Sequence, residues 1–182
     1  MDFKSITFLK KFFDCLDRWG LVRRDPFGNP IGMKRIIVFI LGWLTFARLS
    51  IYNKTEIKGT EKIQDLPREG VLFLSNHQTY FMDVICFYHI FFSVKWRIKN
   101  SIRFPFYLLA PRSRLFYVAA SETMKEDGFL PRVFSLAGAI LVNRSWRAHG
   151  QDVKRDVDLE AQEKVSKGLA FGWVVSFPQG TT

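Results

Sequence analysis

A histidine and an aspartate follow a short apolar run that is predicted to form a strand. His77 and Asp83 belong to the run Ser75-Asn76-His77-Gln78-Thr79-Tyr80-Phe81-Met82-Asp83, directly after Val71–Leu74. A second run, Phe177-Pro178-Gln179-Gly180-Thr181-Thr182, follows the apolar residues 173–175. In an α/β protein, loops at the ends of strands can converge on one cleft. A histidine, an aspartate and a Pro/Gly turn in one cleft would suit acyl transfer.

The chemistry explains why these two residue types matter. Acyl transfer from a thioester to a hydroxyl needs a base that removes the hydroxyl proton, and imidazole suits this because its pKa lies near neutrality. A carboxylate bonded to the other ring nitrogen fixes the tautomer and stabilises the imidazolium. His77 and Asp83 can form this pair if the chain turns into a helix between them, with Asn76 fixing the loop. The alternative is a capped loop that satisfies His77 locally.

Composition indicates one domain with an anionic partner. The chain has 182 residues, 48% of them hydrophobic, and carries a formal charge of +10. Nucleic acid, anionic lipid and phosphorylated ligands are therefore all candidate partners. The 19 phenylalanines are typical of proteins at a membrane interface. Two cysteines, Cys15 and Cys86, favour neither a disulfide framework nor a metal site, and a cytosolic face is expected.

Two apolar helices are predicted before the rest of the chain. Residues 3–19 place apolar side chains at helical spacing among lysines, which is typical of a basic amphipathic helix on anionic lipid. A second helix is predicted over residues 33–50, and its apolar run 36–47 is too short to span a membrane comfortably. We expect residues 1–51 to dock on a membrane at its cytoplasmic face; the alternative is that both helices cover their own domain.

Residues 52–182 are predicted to form an α/β domain with a largely parallel central sheet flanked by helices. The alternation of strands with helices supports this fold class. The predicted strands are 71–75, 93–98, 115–119, 139–143 and 172–177, and the predicted helices are 82–92, 103–111, 129–136 and 153–170. Because the chain stops directly after a strand and a turn, we expect the domain to continue beyond Thr182.

Three blocks together resemble the glycerolipid acyltransferase family, of the lysophosphatidic acid (1-acylglycerol-3-phosphate) acyltransferase type. They are Asn76-His77-Gln78 followed by Asp83, then Gly138-Ala139-Ile140-Leu141-Val142-Asn143-Arg144-Ser145, then the run 177–182, and the resemblance covers about residues 55–182. It implies acyl-CoA or acyl carrier protein as donor, a lipid acceptor, and no further cofactor or metal. It also implies that His77 is the base, that Asp83 orients it, and that Arg144, Gln179, Gly180 and Thr181 bind substrate.

The chain departs from the family pattern at three points. Five residues separate His77 from Asp83 where the family has four, so a bulge or a shifted helix start must absorb one. Gln179 and Thr182 stand where the family has Glu and Arg, and the family's fourth block is not present. Because bidentate phosphate recognition favours Arg, the loss favours an alternative acceptor without phosphate, such as an amino-acid-containing lipid.

A basic and aromatic stretch lies between Asp83 and Glu122, an interval without acidic residues. Its cations are Lys95, Arg97, Lys99, Arg103, Arg112 and Arg114. It is interpreted as a surface for coenzyme A phosphates or lipid head groups, as a single-stranded nucleic-acid surface, or as a solvated face. Nucleic acid is disfavoured because no known binding module is present. A non-catalytic, basic membrane-surface module remains the alternative to an enzyme.

Overall fold

Four parallel strands form the centre of the molecule. A computed structural model describes residues 23–77, 79, 81–121, 124, 129–142 and 159–178. In chain order the strands are β1 (Val71–Leu74), β2 (Leu115–Ala120), β3 (Ala139–Val142) and β4 (Trp173–Ser176). They lie in the order β1-β4-β2-β3, and every neighbouring pair is parallel. The predicted α/β fold with a parallel sheet is confirmed.

Helices connect and flank these strands. The first is α1 (Ile31–Ala47), which continues as a π-helical turn over Arg48–Tyr52. The others are α2 (Glu61–Gln64), α3 (Met82–Lys95), a 3₁₀ turn (Pro105–Leu108), α4 (Phe129–Leu136) and α5 (Leu159–Phe171). The predicted amphipathic helix over residues 3–19 lies outside the described residues, and the boundary between 1–51 and 52–182 stays a prediction.

Two predicted elements are wrong. Residues 93–98 form no strand, because α3 runs on to Lys95 and the chain then turns at Arg97, which has a positive φ of 62°. The apolar run that ends α3 has no periodicity that distinguishes a buried helix from a buried strand. Residues 103–111 contain only the 3₁₀ turn, which begins at Pro105. Proline fits the first position of such a turn because no partner is needed for its missing N–H.

The sheet is covered on both faces. On one face, residues such as Tyr117, Trp173 and Val175 pack with α1, α3, α4 and the 3₁₀ turn. On the other face, Phe116, Ile140 and Val174 pack against apolar side chains that include Val165 and Leu169 of α5. Trp173 and Val174 are fully buried, so β4 lies at the centre of the core.

Helix α1 is buried along one side only. Val38 and Leu49 are buried, and a Cβ at Gly42 would collide with Leu108 and approach His89. The opposite side exposes large apolar residues at helical spacing, which we call the α1 apolar face: Ile36, Ile40, Trp43, Leu44 and Ile51. With its π-helical extension the helix has 22 residues, so its length and composition would allow it to cross a membrane. This is longer than the predicted helix over 33–50.

His89 joins α1, α3 and the 3₁₀ turn, and it should make the fold sensitive to acid. Its Nδ1 lies 2.7 Å from the Tyr107 hydroxyl and its Nε2 lies 3.2 Å from the Gly42 carbonyl oxygen. The neutral ring can accept from the hydroxyl at Nδ1 and donate to the carbonyl from Nε2. Burial lowers the pKa of His89 from 6.5 to about 4, although the bond to Gly42 opposes this shift.

Since the unfolded chain binds this proton more readily, the contribution of His89 to stability is complete above pH 6.5 and declines as the pH falls towards 4. We expect the free energy of unfolding to fall by up to about 3 kcal/mol over this interval. Urea unfolding at pH 7.5 and pH 5 measures the effect. The variant His89→Gln should lose less stability between the two pH values; an equal loss in both proteins would contradict this assignment.

Candidate active site

The pairing of β1 with β4 brings two of the sequence blocks together. Leu74 pairs with Ser176, and the ladder continues because Ser75 N–H donates to the Ser176 carbonyl oxygen at 3.1 Å. His77 therefore follows β1 directly beside the point where Phe177 follows β4. The rings of His77 and Phe177 contact each other, with their centroids 4.6 Å apart.

His77 and Asp83 form a close pair. His77 Nδ1 lies 3.0 Å from Asp83 Oδ2, and both side chains are half-buried, with exposures of 24% and 23%. Because an ionised carboxylate only accepts hydrogen bonds, the proton of the neutral ring belongs on Nδ1. This tautomer leaves the lone pair on Nε2, the nitrogen that can act as a base.

The five intervening residues do not separate this pair. Helix α3 begins at Met82, which places Asp83 in its first turn. A carboxylate at this position interacts favourably with the positive end of the helix dipole. The structure therefore joins the two residues that the sequence analysis selected as base and orienting acid; those two roles remain predictions.

Thr79 is a residue of the site that the sequence analysis missed. Its backbone N–H donates to Asp83 Oδ2 at 3.0 Å, and its hydroxyl donates to Asp83 Oδ1 at 2.6 Å. Both carboxylate oxygens are thus held by one residue, which restricts rotation of the carboxylate that faces His77. The sequence feature that could have identified Thr79 is a threonine a few residues before an acidic residue in the first turn of a helix, as in capping motifs.

Cys86 is the cysteine of α3 and lies about one turn beyond Asp83. Burial raises the pKa of Cys86, and the charge of Asp83 raises it further. Because the thiolate is the nucleophilic form, this environment argues against covalent catalysis by Cys86.

The predicted substrate-binding residues lie outside the described residues. These are Arg144, Gln179, Gly180 and Thr181. The described chain reaches Val142 at the end of β3 and Pro178 after β4. Three strand spacings, about 14 Å, separate β1 from β3 at this edge. An open depression of about 420 Å³, lined by Leu74, Ser75, Asn76 and Pro178, lies beside the His77 loop.

The basic and aromatic stretch uses part of its charge in contacts within the protein, and its predicted role as a binding surface stays a prediction. Lys95 Nζ donates to the Gln64 carbonyl oxygen at 3.1 Å, and Arg97 forms an ion pair of 2.8 Å with Asp65. Arg112 stacks on Trp96, and Arg114 stacks on Phe171. Several of these cations therefore have structural contacts, and Arg112 and Arg114 line a cavity at the opposite edge of the sheet.

Comparison with known proteins identifies the class. The family model described as Acyltransferase matches residues 54–182. The chain belongs to this family and is an acyltransferase. Searches of curated proteins and of solved structures gave no match.

Thr79 should control activity through the carboxylate that it holds. In Thr79→Ala the hydroxyl that donates to Asp83 Oδ1 is lost, so we expect kcat for acyl transfer to fall about tenfold, with little change in KM. Thr79→Ser keeps the hydroxyl and is the matched control, which should retain most of the activity. Equal activity of the alanine and serine variants would show that the hydroxyl does not position Asp83.

Proposed function

We propose that this acyltransferase moves a fatty acyl group from a thioester donor, acyl-CoA or acyl carrier protein, to the hydroxyl of a lysophospholipid or related lipid. The observation that carries the proposal is the 3.0 Å contact between His77 Nδ1 and Asp83 Oδ2 at the carboxyl edge of the sheet. The family match supports acyl transfer in general. The resemblance to lysophosphatidic acid acyltransferases supports the lipid acceptor.

In the proposed reaction, His77 Nε2 removes the proton of the acceptor hydroxyl as its oxygen attacks the carbonyl carbon of the thioester. The tetrahedral intermediate then collapses, the carbon–sulfur bond breaks, and the proton passes from Nε2 to the departing sulfur. The products are the acylated lipid and a free thiol, and His77 returns to its neutral form. Asp83 holds the ring by Nδ1 and stabilises the imidazolium during the step.

We assign binding of the acceptor head group to the residues that follow β3 and β4. Arg144 comes two residues after Val142, so its strand ends at the same edge of the sheet as the His77 loop. The acceptor head group and the Arg144 side chain together have to span the roughly 14 Å between β1 and β3. Gln179, Gly180 and Thr181 come two to four residues after Phe177, whose ring contacts His77, and we assign them to the part of the acceptor nearest the reacting hydroxyl.

The α1 apolar face supports association with a membrane. Stable burial of one side of α1 fixes the other side outwards, where Trp43 and Leu44 are exposed. Phe104 and Phe106 extend this surface, since they are exposed and contact Phe46 and Phe39 of α1. A helix packed on the protein along one side fits a position at the lipid interface, and a lipid substrate must be taken from that interface.

Removal of the base tests the catalytic proposal. We expect His77→Ala to lower kcat by a factor of about 10²–10⁴ in a full-length protein, measured as thiol release with a lysolipid acceptor. Asp83→Ala should also lower kcat. Because Asp83 acts through His77, the double variant should be no slower than His77→Ala alone.

The matched control is Asp65→Asn, which removes an exposed carboxylate paired with Arg97 elsewhere on the surface. It should retain wild-type turnover. Wild-type turnover in His77→Ala would overturn the assignment of the base.

The acceptor is identified by running the assay with lysophosphatidic acid, an uncharged monoacylglycerol and an amino lipid. A strict requirement for phosphate eliminates the alternative acceptor without phosphate that Gln179 and Thr182 suggest.

The membrane proposal predicts a loss of lipid binding when the α1 apolar face is made polar. The double variant Trp43→Ser/Leu44→Ser should bind vesicles of phosphatidylcholine and phosphatidylglycerol more than tenfold more weakly, because burial of each side chain contributes about 2 kcal/mol. Co-sedimentation measures this binding. Leu159→Ser is the control, since Leu159 and Leu44 are both 72% exposed but Leu159 lies on α5. Unchanged binding of the double variant would refute insertion of this face.

A further inference from the structure

A cavity of about 520 Å³ opens at the amino edge of the sheet, opposite the edge that carries His77. Its walls include Leu115 and Phe116, which begin β2, together with Glu69 and Phe171, which precede β1 and β4. Lys34 of α1 contributes to its interior. The cavity is therefore separate from the proposed catalytic pair.

Positive charge dominates this cavity. Five cationic side chains and two carboxylates line it. Among the described residues, no carboxylate pairs with Arg68, Arg112 or Arg114 within 4.0 Å, and all three are exposed. Arg112 and Arg114 lie with their flat faces against Trp96 and Phe171, and Arg114 Nη1 also donates to the Phe171 carbonyl oxygen at 3.2 Å. Because a guanidinium group has five N–H donors, the remaining donors can bind an anion.

Two residues that line the cavity each have a buried polar atom without a partner within the part of the chain that the structure describes. These atoms are Ser113 Oγ and Asp25 Oδ2, on residues that are only 5% and 6% exposed. The other oxygen of Asp25 accepts from the backbone N–H groups of Phe27 and Asn29. A buried polar group without a partner is unfavourable, and a polar ligand that reached these atoms would satisfy both of them.

Lys34 supplies a cation at the inner end of the cavity. Its Nζ donates to the Leu115 carbonyl oxygen at 2.6 Å and lies 3.8 Å from the centre of the Phe116 ring. Burial lowers the pKa of Lys34 to about 7; Asp25 opposes this shift and Arg114 adds to it. A bound anion would favour the charged ammonium form.

We propose that this cavity is a second ligand site, which binds a phosphate monoester that carries a nearby hydroxyl group. The arginines at the mouth and Lys34 bind the phosphate oxygens, and Ser113 Oγ donates to one of them. Asp25 Oδ2 repels a bare anion, so it requires a hydrogen-bond donor on the ligand. A polyol phosphate meets both conditions, either as a soluble molecule or as the phosphate head group of a lipid.

Glycerol 3-phosphate and sulfate are the probes that test this site on the full chain in detergent. Both are divalent anions, but only glycerol 3-phosphate offers hydroxyl donors to Asp25. We expect glycerol 3-phosphate to raise the melting temperature more than sulfate does at ionic strength matched with chloride. Asp25→Asn keeps an oxygen for the backbone bonds and should reduce the difference. Equal effects of chloride, sulfate and glycerol 3-phosphate on the wild-type protein would overturn the proposal.

Variants distinguish this site from general charge attraction. Arg68→Ala should weaken binding of glycerol 3-phosphate about tenfold, measured by calorimetry. The control Arg103→Ala removes an exposed cation outside the cavity and should bind normally. Ser113→Ala should weaken binding several-fold without lowering the melting temperature of the unliganded protein, because it removes a buried hydroxyl without a partner. Equal losses in Arg68→Ala and Arg103→Ala would refute a specific site.

Two further experiments distinguish a lipid ligand from a soluble one, and binding in the cavity from binding at the proposed acceptor site. Vesicles of phosphatidylcholine with phosphatidic acid should displace glycerol 3-phosphate if the ligand is a lipid head group; failure to displace it supports a soluble ligand at the same site. Arg144→Ala, which alters the proposed acceptor site, should leave the affinity of the cavity unchanged. Loss of binding in Arg144→Ala but not in Arg68→Ala would place the phosphate at the acceptor site and overturn the proposal.

Discussion

The parallel pairing of β1 with β4 is the contact on which the candidate active site depends. It joins Leu74 to Ser176, residues that are about a hundred positions apart in the chain, and thereby places His77 against Phe177. The His77–Asp83 contact is local in sequence, but Phe177, which packs on His77, comes from the far end of the described chain. Because β4 is buried between β1 and β2, the geometry of this edge depends on formation of the whole sheet.

Local patterns account for what the sequence predicts well. β1, β2, β3, β4 and the start of α3 were predicted near their observed bounds, since each is a short apolar run bounded by turn residues. The pairing of His77 with Asp83 could also be predicted, because only one turn into a helix is needed to join them. The order β1-β4-β2-β3 was not predicted, since insertion of β4 between β1 and β2 is decided by packing between distant segments.

The errors have a common physical cause. Residues 85–94 are apolar with little periodicity, because α3 is covered on several sides by α1, the sheet and the 3₁₀ turn, and so the end of this helix resembled a strand. In the sequence Thr79 is only one of the five residues between His77 and Asp83, since its contribution lies in hydrogen bonds to Asp83 rather than in a reacting group. The sequence also did not indicate which side of α1 is buried, because the residues that pack on it, Leu108 and His89, lie far along the chain.

The buried strand β4 runs between the two edges of the sheet and has a contact at each of them. At the amino edge, the Arg114 carbonyl oxygen accepts from the Trp173 backbone N–H at 2.8 Å, so a residue that lines the basic cavity is bonded to the first residue of β4. At the carboxyl edge, β4 leads into Phe177, which packs on His77. Only Val174, Val175 and Ser176 lie between these contacts. The cavity proposed to bind phosphate and the edge that carries His77 therefore contact the same strand, one at its first residue and the other directly after its last.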